Sequence, residues 1–208
     1  MKTKERILEV ALQLFNNKGV TTVSSKHISE DMGISYGNLC YHFPKKSDII
    51  LKLYIRMQEE LDIHFQVLSR EIYGFDFMLG SLRDVLETLL KYKFIYLDYT
   101  RLTREFEEVK RHAIIQIENR RKMLREIIDF LLSKGYLRED PVLGHYDRLI
   151  HVIQLMLNFW IADAETFYRG EEDGKVRYYL ELFYSFMRSS LTQKGLEAFQ
   201  EAYQQKKS

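Results

Sequence analysis

Proline occurs only twice in the 208 residues, at Pro44 and Pro141, and the long stretches around them carry the apolar periodicity of helices. That combination confines the chain to an all-α fold. The first proline closes the most informative segment, SKHISEDMGISYGNLCYHFPKK, from Ser25 to Lys46. Ile28 and Met32 share one face of a short amphipathic helix. Gly33 follows where the chain must leave that helix sharply, and glycine reaches the left-handed conformation cheaply. Ser35 can accept a hydrogen bond from the next turn and so opens a second short helix. Pro44 disfavours helical geometry at Phe43 and ends it.

Two short helices joined by a turn containing glycine are the layout of a helix-turn-helix, whose second helix can enter the major groove of DNA. Ile34 and Leu39 anchor that second helix, leaving Tyr36, Asn38 and Tyr41 to face outward. Gly37 costs about 1 kcal/mol relative to Ala inside a helix. The cost is tolerable where a side chain would hold the backbone away from phosphates. Asn38 is the candidate base reader, because an amide can bond adenine bidentately. Tyr41 and His42, at the helix end, are candidates for phosphate contact. Lys46 adds a point charge at the start of the following helix. The expected DNA surface is Ser24, Ser25, Lys26, Ser35, Tyr36, Gly37, Asn38, Tyr41, His42 and Lys46. The competing reading is a structural three-helix bundle in which Asn38 meets only phosphate or water.

The run GISYGNLCYHFPKKSDII resembles the signature of the TetR/AcrR family of transcriptional regulators, through Gly33, Ser35, Gly37, Leu39, His42, Phe43 and Lys46. Upstream, Ile7, Leu8, Ala11, Leu12 and Phe15, followed by Gly19, are similar to that family's first helix and its ending. Cys40 departs from the pattern: the family usually has Tyr there, so one phosphate-contacting hydroxyl is missing, with Tyr41 beside it. The resemblance is strong over the first quarter of the chain. It implies an N-terminal three-helix DNA-binding domain, residues 1–46, and a C-terminal helical ligand-binding and dimerisation domain, residues 47–208. It also implies a homodimer, a near-palindromic double-stranded operator and repression relieved by a small-molecule effector. An activator or a ligand-independent regulator is the alternative within that class.

The formal net charge of +1 adds no support for DNA binding and does not oppose it, because counterion release depends on local contacts. A hydrophobic content of 46% with 13% aromatics suffices for a substantial core, so disorder is not expected. Cys40 is the only cysteine, which excludes an intrachain disulfide and a cysteine-based zinc site. The N-terminus lacks the uninterrupted apolar core of a signal peptide, and no run approaches the roughly 20 residues that span a bilayer. A soluble, cytoplasmic protein without membrane contact is expected.

The first helix is read from about Thr3 to Asn17. Ser47 is expected to cap a long fourth helix with a stripe of Ile50, Leu53, Tyr54, Met57, Leu61, Phe65 and Leu68, closed by a break at Tyr73-Gly74. Leu82 to Leu90 mark a fifth helix, which the aromatic run Tyr92, Phe94, Tyr96 and Tyr99 is expected to continue. A further helix runs from Ile114 through Leu131 to a cap at Gly135, and Asp140-Pro141 starts a new segment. From Leu149 to Ala164, and from Tyr178 to Met187, apolar residues occur on nearly all sides. Such helices need burial on two faces, one of them against a second subunit. Ile153, Leu157, Ile161, Tyr179, Phe183, Phe186 and Met187 are the candidate interface residues, matching the four-helix dimer bundle that the resemblance implies.

Tyr92, Tyr96, Tyr99, His112, Asn158 and Trp160 could converge on a small molecule of mixed character. An aromatic stripe at helical spacing is more often plain core. His145 and His151, at i and i+6, lie on different helix faces and do not suggest a metal site. Glu171, Glu172 and Asp173 read as a solvated loop. No GxSxG elbow, P-loop, HExxH or dinucleotide fingerprint is present, so neither an enzyme nor a cofactor is expected. A helical protein-interaction scaffold would explain the terminal helices but leave Ser35 to Lys46 unexplained.

Overall fold

The computed structural model describes residues 2–70, 75–139 and 142–205, and the side chains of 66–70, 76–79 and 205 lie outside that description. The break expected at Tyr73-Gly74, the segment start at Asp140-Pro141 and the Leu68 end of the fourth-helix stripe fall outside it too. The described residues form eleven α-helices. The first four are α1 (Thr3–Lys18), α2 (Ser25–Asp31), α3 (Tyr36–His42) and α4 (Lys46–Arg70). Then come α5 (Phe75–Lys91), α6 (Lys93–Leu97), α7 (Tyr99–Glu105) and α8 (Glu107–Ser133). The chain ends through α9 (His145–Phe167), α10 (Lys175–Arg188) and α11 (Gln193–Gln205).

The chain packs as two compact units. One comprises Met1–Glu60 with Leu89–Ile115, the other Leu61–Thr88 with Gln116–Ser208. Compactness therefore does not divide the chain at 46/47, because α6, α7 and the start of α8 pack with the N-terminal helices. In the first unit, Ile7, Leu8, Phe15, Ile28, Leu39 and Ile50 are buried together with Phe94 and Ile95. The second unit is centred on Leu86, Ile128, Tyr146, Ile161, Phe183 and Phe199.

Two local expectations are corrected. The aromatic run does not continue α5: the backbone leaves helical geometry at Tyr92, with φ −108° and ψ 34°, and again at Asp98. The side chain of Asn16 takes over at the first break, donating to the Lys91 carbonyl at 2.8 Å and accepting from the Phe94 N–H at 3.0 Å. Ser47 does not cap α4 but lies within its first turn. Asp48 closes that turn instead, its carboxylate accepting from the Lys45 N–H at 2.9 Å.

Gly135 ends α8 in the left-handed conformation, φ 68°, as expected. Beyond it the chain forms a clasp with the end of α10. Leu137 and Leu191 make an antiparallel bridge, Arg138 N–H donates to the Ser190 carbonyl, and Thr192 N–H donates to the Tyr136 carbonyl. Gly195 fits here because any Cβ would lie 2.1 Å from the Tyr136 carbonyl oxygen.

Candidate nucleic-acid interface and an apolar cavity

The helix-turn-helix forms as its residue types dictate. Ser24 caps α2 reciprocally: its hydroxyl accepts from His27 N–H at 3.2 Å, and His27 Nδ1 accepts from Ser24 N–H at 3.3 Å. Gly33 takes φ 66°, a left-handed conformation, with its N–H bonded to Glu30 and that of Ile34 to Ser29. Ser35 caps α3 by accepting from Asn38 N–H at 3.2 Å. Leu39 is fully buried and Phe43 nearly so, while Ile34 is half-buried. These anchors leave Tyr36, Gly37, Asn38 and Tyr41 exposed, Tyr41 at 83%. His42 is half-buried, its ring 5.2 Å from that of Tyr41. A Cβ added at Gly37 would meet nothing within 4 Å beyond its own helix, so the backbone there is open to close approach.

Cys40, half-buried on α3, lies one turn from Tyr36. The neighbouring thiol pushes the Tyr36 phenol pKa up. A groove lined by Thr21, Ser24, Ser25, Lys26, Tyr36 and Lys46 joins the starts of α2 and α3. Hydroxyls, a phenol and two cations on one concave surface suit phosphate oxygens. Residues 1–53 hold eight Lys and Arg against five Asp and Glu, so this end is locally basic in a chain of nearly balanced charge.

Lys46 differs from a free surface cation. Its ammonium donates to the Val20 carbonyl and lies 5.9 Å from the Phe15 ring centre. Burial, and then the charge of Arg101, lower its pKa despite Glu105 and Asp98. Its first role is to tie the start of α4 to the end of α1. Lys26 is the exposed cation of the groove, with Glu30 at 3.7 Å.

The six candidate pocket residues are divided between the two compact units. Tyr92, Tyr96, Tyr99 and His112 belong to one compact unit, Asn158 and Trp160 to the other. Tyr92 is core: its hydroxyl donates to Glu60 at 2.6 Å, and Lys91 pairs with the same carboxylate at 2.7 Å. Tyr96 stacks parallel to Tyr99 at 6.2 Å. Trp160 is buried against Tyr179, whose hydroxyl donates to Asp163.

The second unit instead encloses a cavity of about 100 Å³ between α4, α5, α8, α9 and α10. Phe65, Leu82, Val85, Leu124 and Ile128 are among its lining residues. A void of this size costs about 2 kcal/mol if left empty. Sequence reasoning missed it because its wall comes from six separate segments, none of which has an unusual composition.

The candidate dimer residues take the following places in the structure. Ile153, Leu157, Phe183 and Met187 line it, and Ile161 and Tyr179 are buried within their own unit, leaving Phe186 half-buried. The outward apolar stripe on α9 is Val152, Leu155 and Phe159, the last two 44% and 48% exposed, and on α10 it is Tyr178 and Leu182.

The comparisons with known proteins agree with this geometry. Residues 7–53 match the family model described as bacterial regulatory proteins, tetR family, and residues 56–199 match that described as TetR, bacterial transcriptional repressor. An HTH-type transcriptional regulator of Staphylococcus aureus strain MRSA252 is 32% identical over 96 residues, 44% of this chain and 50% of the relative. A second, from strain USA300, is 34% identical over 76 residues, 35% of this chain and 40% of the relative. The chain thus spans half or less of the length of these curated relatives. Among solved structures, a TetR-family regulator from Marinobacter aquaeolei VT8 superposes with a TM-score of 0.87 at 22% identity, over 100% of this chain and 98% of that one. A regulator from Saccharomonospora viridis in complex with choline gives 0.72 at 19% identity, over 90% and 96%. These likenesses concern the fold.

Proposed function

Because the chain belongs to the TetR family of bacterial transcriptional regulators, we propose that it is a homodimeric repressor that leaves its operator when a small molecule binds. The carrying observation is the α2–α3 pair, both helices capped, with Leu39 sunk in the core and Tyr36, Gly37, Asn38 and Tyr41 exposed beside the basic groove. In this reading residues 1–46 contact DNA and 47–208 serve regulation and dimerisation. Asn38 reads a base edge, and Ser24, Ser25, Lys26, Tyr36, Tyr41 and His42 hold phosphates, with Ser35 and Lys46 fixing the frame.

The dimer forms through the outward stripe of α9 and α10. An isologous pair places two recognition helices about a two-fold axis, so the operator is near-palindromic. The protein acts in the cytoplasm, and among the described residues no helix is long and apolar enough to cross a membrane. The effector occupies the helical region and weakens DNA binding through α4, which begins at Lys46 and contributes Phe65 to the cavity wall. Footprinting on DNA flanking its own gene tests the reading. A protected dyad is expected; protection without symmetry, or none, overturns it.

A further inference from the structure

Among the described residues, the wall of the apolar cavity contains no charged side chain, and its side-chain hydroxyls are those of Tyr184 and Ser190. Burial raises the Tyr184 pKa, so that group stays neutral. A charged ligand entering such a space sheds its hydration and finds no counter-charge to replace it. Water gains nothing either, because it needs two to four polar partners. An apolar molecule loses nothing and recovers the dispersion contacts that the void lacks. At about 100 Å³ the space is somewhat smaller than an apolar cavity of about 150 Å³ that takes benzene.

Phe65 also faces a polar groove, lined by Asp62, Gln116, Asn119, Arg120, Lys122 and Glu126. The ring is therefore the partition between groove and cavity, and the Arg120 guanidinium lies 5.1 Å from its centre. A charged head group left outside the partition would meet two carboxylates and two cations. That balance gives no net pull to either sign.

We propose that the cavity takes an uncharged apolar molecule, an alkyl chain or a single ring, carrying at most one hydroxyl-type group directed to Ser190. This rests on the reading of the helical region as effector-binding, and names the chemical class of the effector.

The test uses the full-length protein and three probes with the same alkyl chain: 1-octanol, octanoate and octyltrimethylammonium, each below its micellar concentration. Binding is read by calorimetry and melting temperature, operator release separately by fluorescence anisotropy. 1-Octanol is expected to raise the melting temperature and to bind at least tenfold more tightly than either charged probe. Leu157→Trp, which fills the space, should abolish that binding, and Ile128→Phe serves as a second filling variant. Equal or tighter binding of a charged probe, no binding of 1-octanol, or unchanged binding by a folded filling variant overturns the assignment. If 1-octanol binds in the expected order yet operator affinity stays constant, the assignment stands and the effector reading fails.

Discussion

Phe94 donates its backbone N–H to the side chain of Asn16, a residue 78 positions earlier, at 3.0 Å. The same amide donates to the Lys91 carbonyl at 2.8 Å, so one side chain serves both edges of the gap between α5 and α6. The gap falls where Tyr92 must turn inward to reach Glu60. Here α1 of the helix-turn-helix unit is pinned to a segment that follows it by some eighty residues.

Asn16→Ala leaves the Phe94 N–H without its partner and should destabilise the protein by about 1–3 kcal/mol. Asn16→Asp keeps the acceptor and loses the donor, so it should fall between wild type and Ala. Urea unfolding measures both; an unchanged midpoint for the Ala variant would show that the pin is dispensable.

Asn38→Ala should cost about 1–3 kcal/mol at the cognate operator and blur its sequence preference. Lys26→Ala should weaken all DNA nearly evenly and reduce the salt slope by about 1. Binding isotherms on cognate and random duplexes at several salt concentrations separate the two. Equal losses on both duplexes for Asn38→Ala would remove it as a reader.

Burial alone would raise the Glu60 pKa, but hydrogen bonds from Lys91 and Tyr92, with the charge of Arg56, outweigh it and hold the carboxyl below its ordinary value. A depressed carboxyl contributes stability that is present above its unfolded pKa and lost as pH falls through the folded one. Acid should therefore loosen this network below the ordinary carboxylate range, and Glu60→Gln should flatten that limb of the stability curve. Lys175 has the opposite sign. Burial would lower it, yet Glu172 and Glu165 prevail and raise it, so its contribution is full below the unfolded lysine pKa and is lost as pH rises through the higher folded value. Melting temperatures across pH should show wild type above Lys175→Met at neutral pH, with the difference disappearing on the alkaline side.

Leu155→Glu or Phe159→Glu should convert the dimer to monomer at micromolar concentration with helicity retained, because each places a charge in the outward stripe. Light scattering with circular dichroism measures this. A dimer that survives both changes would place the interface elsewhere.

The helix-turn-helix was legible because each of its turns depends on one residue type: Gly33 must be left-handed, Ser35 must accept, Pro44 must stop the helix. The outward stripe of α9 was not, because α9 offers Leu157 and Leu155 alike and only the fold assigns the first to the cavity and the second to the surface. The interruption at Tyr92 was hidden for a different reason. Its cause, Asn16, lies far away in the chain, and local periodicity carries no trace of it. The cap on α4 failed on chemistry within reach, since Asp48 competes with Ser47 and wins by accepting from Lys45.

The clasp between 135–138 and 190–195 has an evolutionary meaning. Leu137, Ser190 and Leu191 border the cavity yet stand outside the helices, and the backbone bonds of the clasp do not depend on the side chains at these three positions. Substitutions there can reshape what the cavity accepts without disturbing helical register. Tyr36, Asn38 and Tyr41, the residues proposed to meet the operator, lie in the other compact unit. Under the proposed function, a lineage of such proteins can therefore exchange one chemical signal for another while continuing to address the same genes.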